Sequence, residues 1–568
     1  MSIVYNHIRK HLANLASSDL SLQNESTILR QINHQAAALS PADCFRFSLP
    51  ELESISFRPT SDFPGQRIHA IIGCDNGLLL PKLEAAPNDD LFILAPDTAA
   101  AWLLLAESDP AAFCQPMPVH LFTQAKNFLN EIHKAQNNWR RIYLWLTPLA
   151  HNNHPGLCRE ITRHLELADA IATNLAETVN KHYFRWAANE NHNLHRLLHS
   201  PHCLSSPADQ PGLEIPAILI GAGPSLTQAL PMLKKVSERD QALLIAASTT
   251  LRLLARENIR PHIAIIIEGR PQNHFDNLPI EYLQQIHLLV SLQTAPKHLD
   301  VPCRDISWFH HHSAPTRELV NQLHPTARPL VAGGSVINNA FALASAWGCK
   351  PIALCGCDLA YAGKQKYTNG LERKNSEEEK KDLTRRFFPV SGKEQTVLNA
   401  PPEFINYARD LEKQIISYFD KVPGSQIYNL SQGGRCLSKT IFMEPEKFFD
   451  TIPAPSKTIS RELEAYINSW QTPPRTGQTI LFDHHQKLKQ LLNYLKTTSR
   501  RSVSCDITNI EKEILSQQLD QLSEFRNQAA LNLIPWLFRL YNRAPQDSDY
   551  ERLTACVKTL TMAVSNAP

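Results

Sequence analysis

The run Ile215 to Leu226, IPAILIGAGPSL, places a phosphate-type chemistry on a short piece of chain. Four apolar residues, Ala217 to Ile220, read as a buried strand. They lead into Gly221, Gly223, Pro224 and Ser225, and Leu226, Leu230 and Leu233 then repeat at helical spacing. Glycines let the backbone turn sharply and approach a ligand, and the free N–H groups of a helix start favour an anion. The same pattern also suits an ordinary strand-to-helix turn, so its meaning depends on what stands beside it.

Other short apolar strands are read at 242–247, 262–267, 287–291, 305–309 and 351–355, separated by helical segments. That alternation implies parallel pairing in a doubly wound sheet, where ligands bind beyond the carboxyl ends of the strands. The strand ends carry a short set of polar groups: the Gly221–Ser225 loop, then Ser248, Thr249 and Thr250, then Glu268, and finally Gly356 and Asp358 in Cys355-Gly-Cys-Asp. Glu268 and Asp358 are acceptors able to grip hydroxyls, and either could act as a general base.

The fold class expected is α/β. A Rossmann-like, doubly wound central domain at 213–452 follows an N-terminal α/β domain at 1–165 and a helical connector at 166–212. A C-terminal helical domain occupies 453–568, where Leu488, Leu491, Leu492 and Leu495 keep helical spacing. The N-terminal domain has a second nucleotide-fold outline, residues 69–97. Asp75 takes the place of the middle glycine there, and no carboxylate stands at the tip of the next strand, so the site reads as degenerate and structural. The charged run 371–386 reads as solvated surface, with a mobile lid as the other reading.

At 568 residues the chain needs several cores, and 20% charged with 43% hydrophobic residues is ordinary for a globular protein. A formal net charge of +2 without a basic block gives no support for nucleic-acid binding. No membrane span and no leader are expected, and the location expected is cytoplasmic. The twelve cysteines lack a framework of spacings and read as reduced core residues; Cys355 and Cys357 have no second pair for zinc, so no metal site is expected. The C-terminal helices suit docking or homo-oligomerisation.

The chain resembles the motility-associated factor (Maf) glycosyltransferases, which modify flagellin. The resemblance rests on Gly221-Ala-Gly-Pro-Ser-Leu226, on Gly333-Gly334-Ser335 before a helix, and on Gly356-Cys-Asp-Leu359. Trp186 to Asn193, Thr396, Asn429 and Gly433-Gly434 add weaker support. The central domain is similar in turn to bacterial sialyltransferases and to archaeal hydroxymethylpterin diphosphokinases.

The resemblance implies transfer of a nonulosonic acid, pseudaminic or legionaminic, from a CMP donor to flagellin serine or threonine. The CMP sugar and flagellin are then the partners, and no resident cofactor is required. The N–H groups of Gly223 to Ser225 would hold the phosphate of the leaving CMP, and Ser335 would add donors to phosphate or ribose. Glu268 and Asp358 would grip cytosine, ribose or sugar hydroxyls. Two departures stand out: Glu268 occupies a usual aspartate position, and 388–396 lacks the histidine base of the sialyltransferases. His310, His311 and His312 are the substitutes read from the sequence, and Tyr361 and Tyr367 are donors toward the phosphate. An ATP- and magnesium-dependent diphosphotransferase, with Glu268 and Asp358 as metal ligands, and a non-catalytic flagellin scaffold remain the alternatives, so the magnesium question stays open at this point.

Overall fold

The computed structural model describes residues 53–56, 67–73, 90–95, 119–122, 124–136, 141–197, 212–272, 274–311, 320, 329–330, 333–361, 386–452 and 458–468. They fall into two compact units divided after Glu177. Residues 371–385 of the charged run, Tyr367, His312 and the C-terminal leucines Leu488 to Leu495 lie outside the described residues.

The first unit contains β1 (Glu53–Ser56), β2 (Arg67–Ile72), β3 (Asp90–Leu94), β4 (Val119–Phe122) and β5 (Arg141–Leu146), with α1 (Ala125–Gln136) and α2 (Pro148–Asn153). Its sheet order is β1-β5-β2-β3-β4, parallel except for the antiparallel edge strand β1. The turn after β2 shows why this half reads as degenerate. Gly73 has φ +99°, and a Cβ there would lie 2.0 Å from Thr147 Oγ1 and 2.8 Å from the Ala150 Cβ. Thr147 caps α2 through Ala150 N–H at 3.2 Å, so a protein side chain fills the strand tip. Helix α3 (Pro155–Leu197) contains the unit boundary.

The second unit is built on an eight-stranded, all-parallel sheet. In chain order it contains β6 (Ala217–Ile220), α4 (Leu226–Arg239), β7 (Leu243–Ala247), β8 (Ile263–Ile266), β9 (His287–Ser291), β10 (Asp305–Phe309), α5 (Val336–Ala346) and β11 (Ile352–Cys355). The hairpin β12 (Phe388–Ser391) and β13 (Val397–Ala400) follows, then α6 (Pro402–Lys421), β14 (Ile427–Asn429), β15 (Ile441–Phe442), α7 (Pro445–Thr451) and α8 (Ile459–Asn468). The strand order is β10-β9-β8-β7-β6-β11-β14-β15. The chain steps outward from β6 to β10, then returns to the other side of β6, which makes β6/β11 the switch point.

Continuous apolar runs such as AILI and LLIAA are what a parallel sheet covered on both faces requires. Alternation sends Ile218, Ile220, Leu244 and Ala246 to one face, against Ala229, Met232, Leu233 and Val236 of α4. Ala217, Leu219, Leu243 and Ile245 go to the other face, against Ala340, Phe341 and Ala344 of α5 and Leu411, Ile415 and Tyr418 of α6. Each fully buried Leu or Ile contributes about 1.5–3 kcal/mol. Six expected strands fall within a residue of β6 to β11. The short β14 and β15 and the β12–β13 hairpin were not foreseen. Ile459, Leu463 and Ile467 of α8 pack into the same core, so this helix, assigned from sequence to the C-terminal domain, belongs to the central one.

Asn193 on α3 donates through Nδ2 to the Leu292 carbonyl at 2.8 Å and the Thr294 carbonyl at 2.7 Å. Asn189 reaches the Gly269 and Gln293 carbonyls at 3.0 and 2.9 Å. These amides fix the turns beyond β8 and β9. Asn193→Ala leaves two buried carbonyls without that donor and is expected to cost about 1–3 kcal/mol in urea unfolding; an unchanged midpoint would show that the amide carries no load.

Candidate functional site

The switch point is formed by two turns locked together. Gly221 N–H donates to the Cys355 carbonyl and Gly223 N–H to the Gly356 carbonyl, both at 2.8 Å. The turns pass so closely that side chains are excluded. A Cβ on Gly221 would lie 2.5 Å from Gly356 O, and one on Gly223 would lie 2.0 Å from Asp358 Oδ2. Gly356 also has φ +62°, a backbone that L side chains rarely adopt.

Asp358 lies at the centre, 3% exposed. Its Oδ2 accepts from Ser225 Oγ at 2.7 Å and from Ser225 N–H at 3.3 Å. Its Oδ1 is buried without a hydrogen-bond partner, and the nearest approach to it from Gly433 is 3.9 Å for an added Cβ. Burial pushes the carboxyl above its ordinary range, and the two Ser225 bonds pull only part of the way back. The turn is buttressed from β14. Cys357 N–H donates to Ser431 Oγ at 2.8 Å, Ser431 N–H to Asn429 Oδ1 at 3.0 Å, and Arg435 N–H to the Asp358 carbonyl at 2.8 Å.

These bonds revise the expected phosphate grip. Of the loop donors, Gly223 N–H is engaged by Gly356, Pro224 has none, and Ser225 N–H faces Asp358. The Ser225 hydroxyl makes no cap bond to α4. An anion at this loop would have to compete with the Asp358 carboxylate, so the loop serves Asp358 first.

The remaining expected residues lie at graded distances. Gly333, Gly334 and Ser335 lead into α5, whose Ile337 reaches the switch point: its Cδ1 would meet a Gly221 Cβ at 3.3 Å. Ser335 is the N-cap of α5, accepting from Asn338 N–H at 3.2 Å. Ser248 and Thr249 follow β7, one strand away. Glu268 follows β8, two strands from β6 or about 10 Å. Its Oε1 accepts from Arg270 N–H at 2.9 Å and Nε at 3.0 Å, and its Oε2 from Nη2 at 3.2 Å. Burial acts to raise its pKa, but the Arg270 bonds outweigh that and hold the carboxyl below its ordinary range.

His311 is not brought to this site. It follows β10, the edge strand four spacings from β6, about 19 Å away. Burial takes it down to about 4, so the ring is neutral and a weak base. His310 is buried beside it, at the same sheet edge. Tyr361 packs its ring against Phe387 and Phe404, at 5.1 and 5.8 Å between centroids, while its N–H pairs with the Asn399 carbonyl at 2.8 Å. That ring supports the β12–β13 hairpin.

Cys355 and Cys357 are buried free thiols whose pKa values burial raises. Among the described residues no cluster of three or more His, Cys, Asp or Glu side chains is arranged to hold a metal ion. Likewise, among the described residues no helix is long and apolar enough to cross a membrane.

Residues 188–364 match the family described as 6-hydroxymethylpterin diphosphokinase MptE-like. A solved structure of the MAf glycosyltransferase from Magnetospirillum magneticum AMB-1 is similar across 98% of this chain and 82% of its own, with a TM-score of 0.52 at 14% identity. At that identity the likeness is one of fold, and the chain shares that glycosyltransferase's architecture. No curated protein sequence matches the chain. The matched stretch contains both turns of the switch point and Asp358. Ser431 and Arg435 come from beyond it, and sequence reading missed both; the only signal was the Gly433-Gly434 pair after a short apolar run.

The ionised Asp358 costs stability. Its folded pKa is raised, so the cost is absent below the unfolded value of about 3.9 and sets in as pH rises through the folded value. Asp358→Asn is therefore expected to melt higher than the parent at neutral pH, with the gap closing as pH falls toward about 4. A gap independent of pH would show that charge is not the cause.

Proposed function

We propose that this chain is a glycosyltransferase that moves a nonulosonic sugar, pseudaminic or legionaminic acid, from a CMP donor to serine or threonine hydroxyls of flagellin. One observation carries the reading. A buried carboxylate of raised pKa stands at the switch point of a Rossmann-like sheet, with one oxygen anchored by Ser225 and the other buried without a hydrogen-bond partner. The architecture shared with the MAf glycosyltransferase supports it.

In this reading Asp358 is the general base. Ser225 holds Oδ2, leaving Oδ1 to accept the proton of the acceptor hydroxyl. As that proton leaves, the acceptor oxygen bonds to the anomeric carbon, the bond from that carbon to the phosphate oxygen breaks, and CMP departs with the electron pair. A base is most effective when its pKa approaches the working pH, and burial moves Asp358 in that direction. Glu268 is held ionised by Arg270 and instead suits a fixed acceptor for donor hydroxyls.

The MptE-like match favours a second reading, a diphosphotransferase using ATP and magnesium. Against it, both oxygens of Glu268 are already bonded to Arg270, which opposes a metal-ligand role. Calorimetry distinguishes the two. CMP is expected to bind without magnesium; magnesium-dependent ATP binding with no response to CMP would overturn the transferase reading. Flagellin co-expressed with this chain and a donor pathway is expected to gain the mass of one or more nonulosonate residues. Unchanged mass would favour a scaffold.

The base assignment has its own test. The Ser225 bonds lower the Asp358 pKa, so Ser225→Ala is expected to raise it. The acid limb of the kcat/KM profile should then move to higher pH, and Asp358→Asn should abolish transfer. An acid limb that stays in place would remove Asp358 from the role.

A further inference from the structure

Arg435, bonded to the Asp358 turn, and its neighbour Arg409 form no ion pair among the described residues. Arg435 has a backbone held on three sides: its N–H donates to the Asp358 carbonyl at 2.8 Å, its carbonyl accepts from Asn429 Nδ2 at 3.4 Å, and it bridges to Gly392 of the hairpin turn. Its guanidinium is half-buried, and Nη1 is fully buried with no hydrogen-bond partner. Arg409 comes from α6, next to Asp410, whose Cβ would lie 2.8 Å from a Cβ on Gly333. The helix therefore passes beside Gly333 at Asp410 and carries Arg409 within electrostatic reach of Arg435.

Glu412 shows that the two meet. It stands three residues after Arg409, its Oε1 accepts from Ser438 N–H and Oγ at 2.8 and 2.9 Å, and its charge acts on both arginines. The arginines also repel each other: burial first, then Arg435, depresses the proton affinity of Arg409. The nearby carboxylates have partners of their own, Glu412 with Ser438, Asp410 with Lys413 at 3.8 Å, and Asp358 with Ser225. Among the described residues neither guanidinium has an ion pair.

Two adjacent half-buried cations that form no ion pair are costly, and one oxyanion would satisfy both forks at once. We propose that Arg409 and Arg435 form an oxyanion-binding pair, holding a carboxylate or phosphate of the ligand whose hydroxyl reaches Asp358. The unpartnered Oδ1 of Asp358 would accept a hydrogen and the unpartnered Nη1 of Arg435 would donate one. The ligand class is therefore a polyhydroxylated acid or a nucleotide. Only the choice of oxyanion rests on the transferase reading, where it is either the sugar carboxylate or the phosphate of CMP.

Titration calorimetry on the full chain tests the pair with three probes: inorganic phosphate, N-acetylneuraminic acid and neutral cytidine. Arg435→Gln and Arg409→Gln are each expected to weaken an oxyanion probe by roughly 10- to 100-fold, the range of a hydrogen bond to a charged group, while cytidine is unaffected. Loss confined to phosphate assigns the pair to the phosphate of the donor, and loss confined to N-acetylneuraminic acid assigns it to the sugar carboxylate. Arg435→Lys and Arg409→Lys keep the charge without the fork. They should bind with intermediate affinity at unchanged unfolding midpoints. Equal oxyanion affinity in parent and glutamine variants overturns the proposal, as does a parent that binds neither oxyanion. Arginine-dependent binding of ATP with magnesium, without CMP binding, would sink the transferase reading and leave the pair standing.

Discussion

The bond between the Asp358 carboxylate and Ser225 is the constraint around which the site is arranged. It joins the turn after β6 to the turn after β11, strands that are neighbours in the sheet but far apart in the chain. To bring the side chains together, the backbones must approach within hydrogen-bond distance, and Gly221, Gly223 and Gly356 are glycines for that reason. Gly434 completes the enclosure, since a Cβ there would lie 2.8 Å from Asp358 Cα. The carboxylate is thus confined where Gly223 and Gly434 pass against Asp358, and it is held by hydrogen bonds at only one oxygen. That is an expensive way to hold a charge, and it leaves one buried acceptor atom without a partner.

Three carboxylate or imidazole groups stand at ends of this sheet, and environment alone separates them. Glu268 meets an arginine fork and stays ionised, His311 is desolvated by its surroundings and stays neutral, and Asp358 is buried beside a hydroxyl and is driven toward protonation. Charge is also unevenly distributed around the crevice. The negative group is central and hydrogen-bonded at one oxygen, while Arg409 and Arg435 form no ion pair among the described residues. An electrostatic field of that shape orients a polar ligand before any contact is perfected.

Much of this was legible in the residues. Apolar runs of four and five residues separated by helical spacing revealed six of the eight strands, because a strand buried on both faces has no room for polar residues. Strand-end reasoning found Gly221, Ser225, Gly356 and Asp358 together. It overextended to His311, because the rule names every strand end and only the strand order says which ends are adjacent. β14 and β15 were hidden by their length, three and two residues. Ser431 and Arg435 were hidden with them. The internal use of the Ser225 donors was equally invisible: a Gly-x-Gly-Pro-Ser loop reads the same whether its N–H groups face a ligand or a neighbouring carboxylate.

The position of β6 has a further consequence. It is the first strand of its sheet to be made, and Ala217 pairs with Ile352 only after four other strands have been added on its opposite side. During synthesis at roughly 5–20 residues per second, that edge of β6 stays open until β11 emerges. An open edge of four apolar residues is a template for pairing with another chain, and non-local parallel pairing closes slowly. The glycine turn that later confines Asp358 therefore begins as the exposed corner of an unfinished sheet.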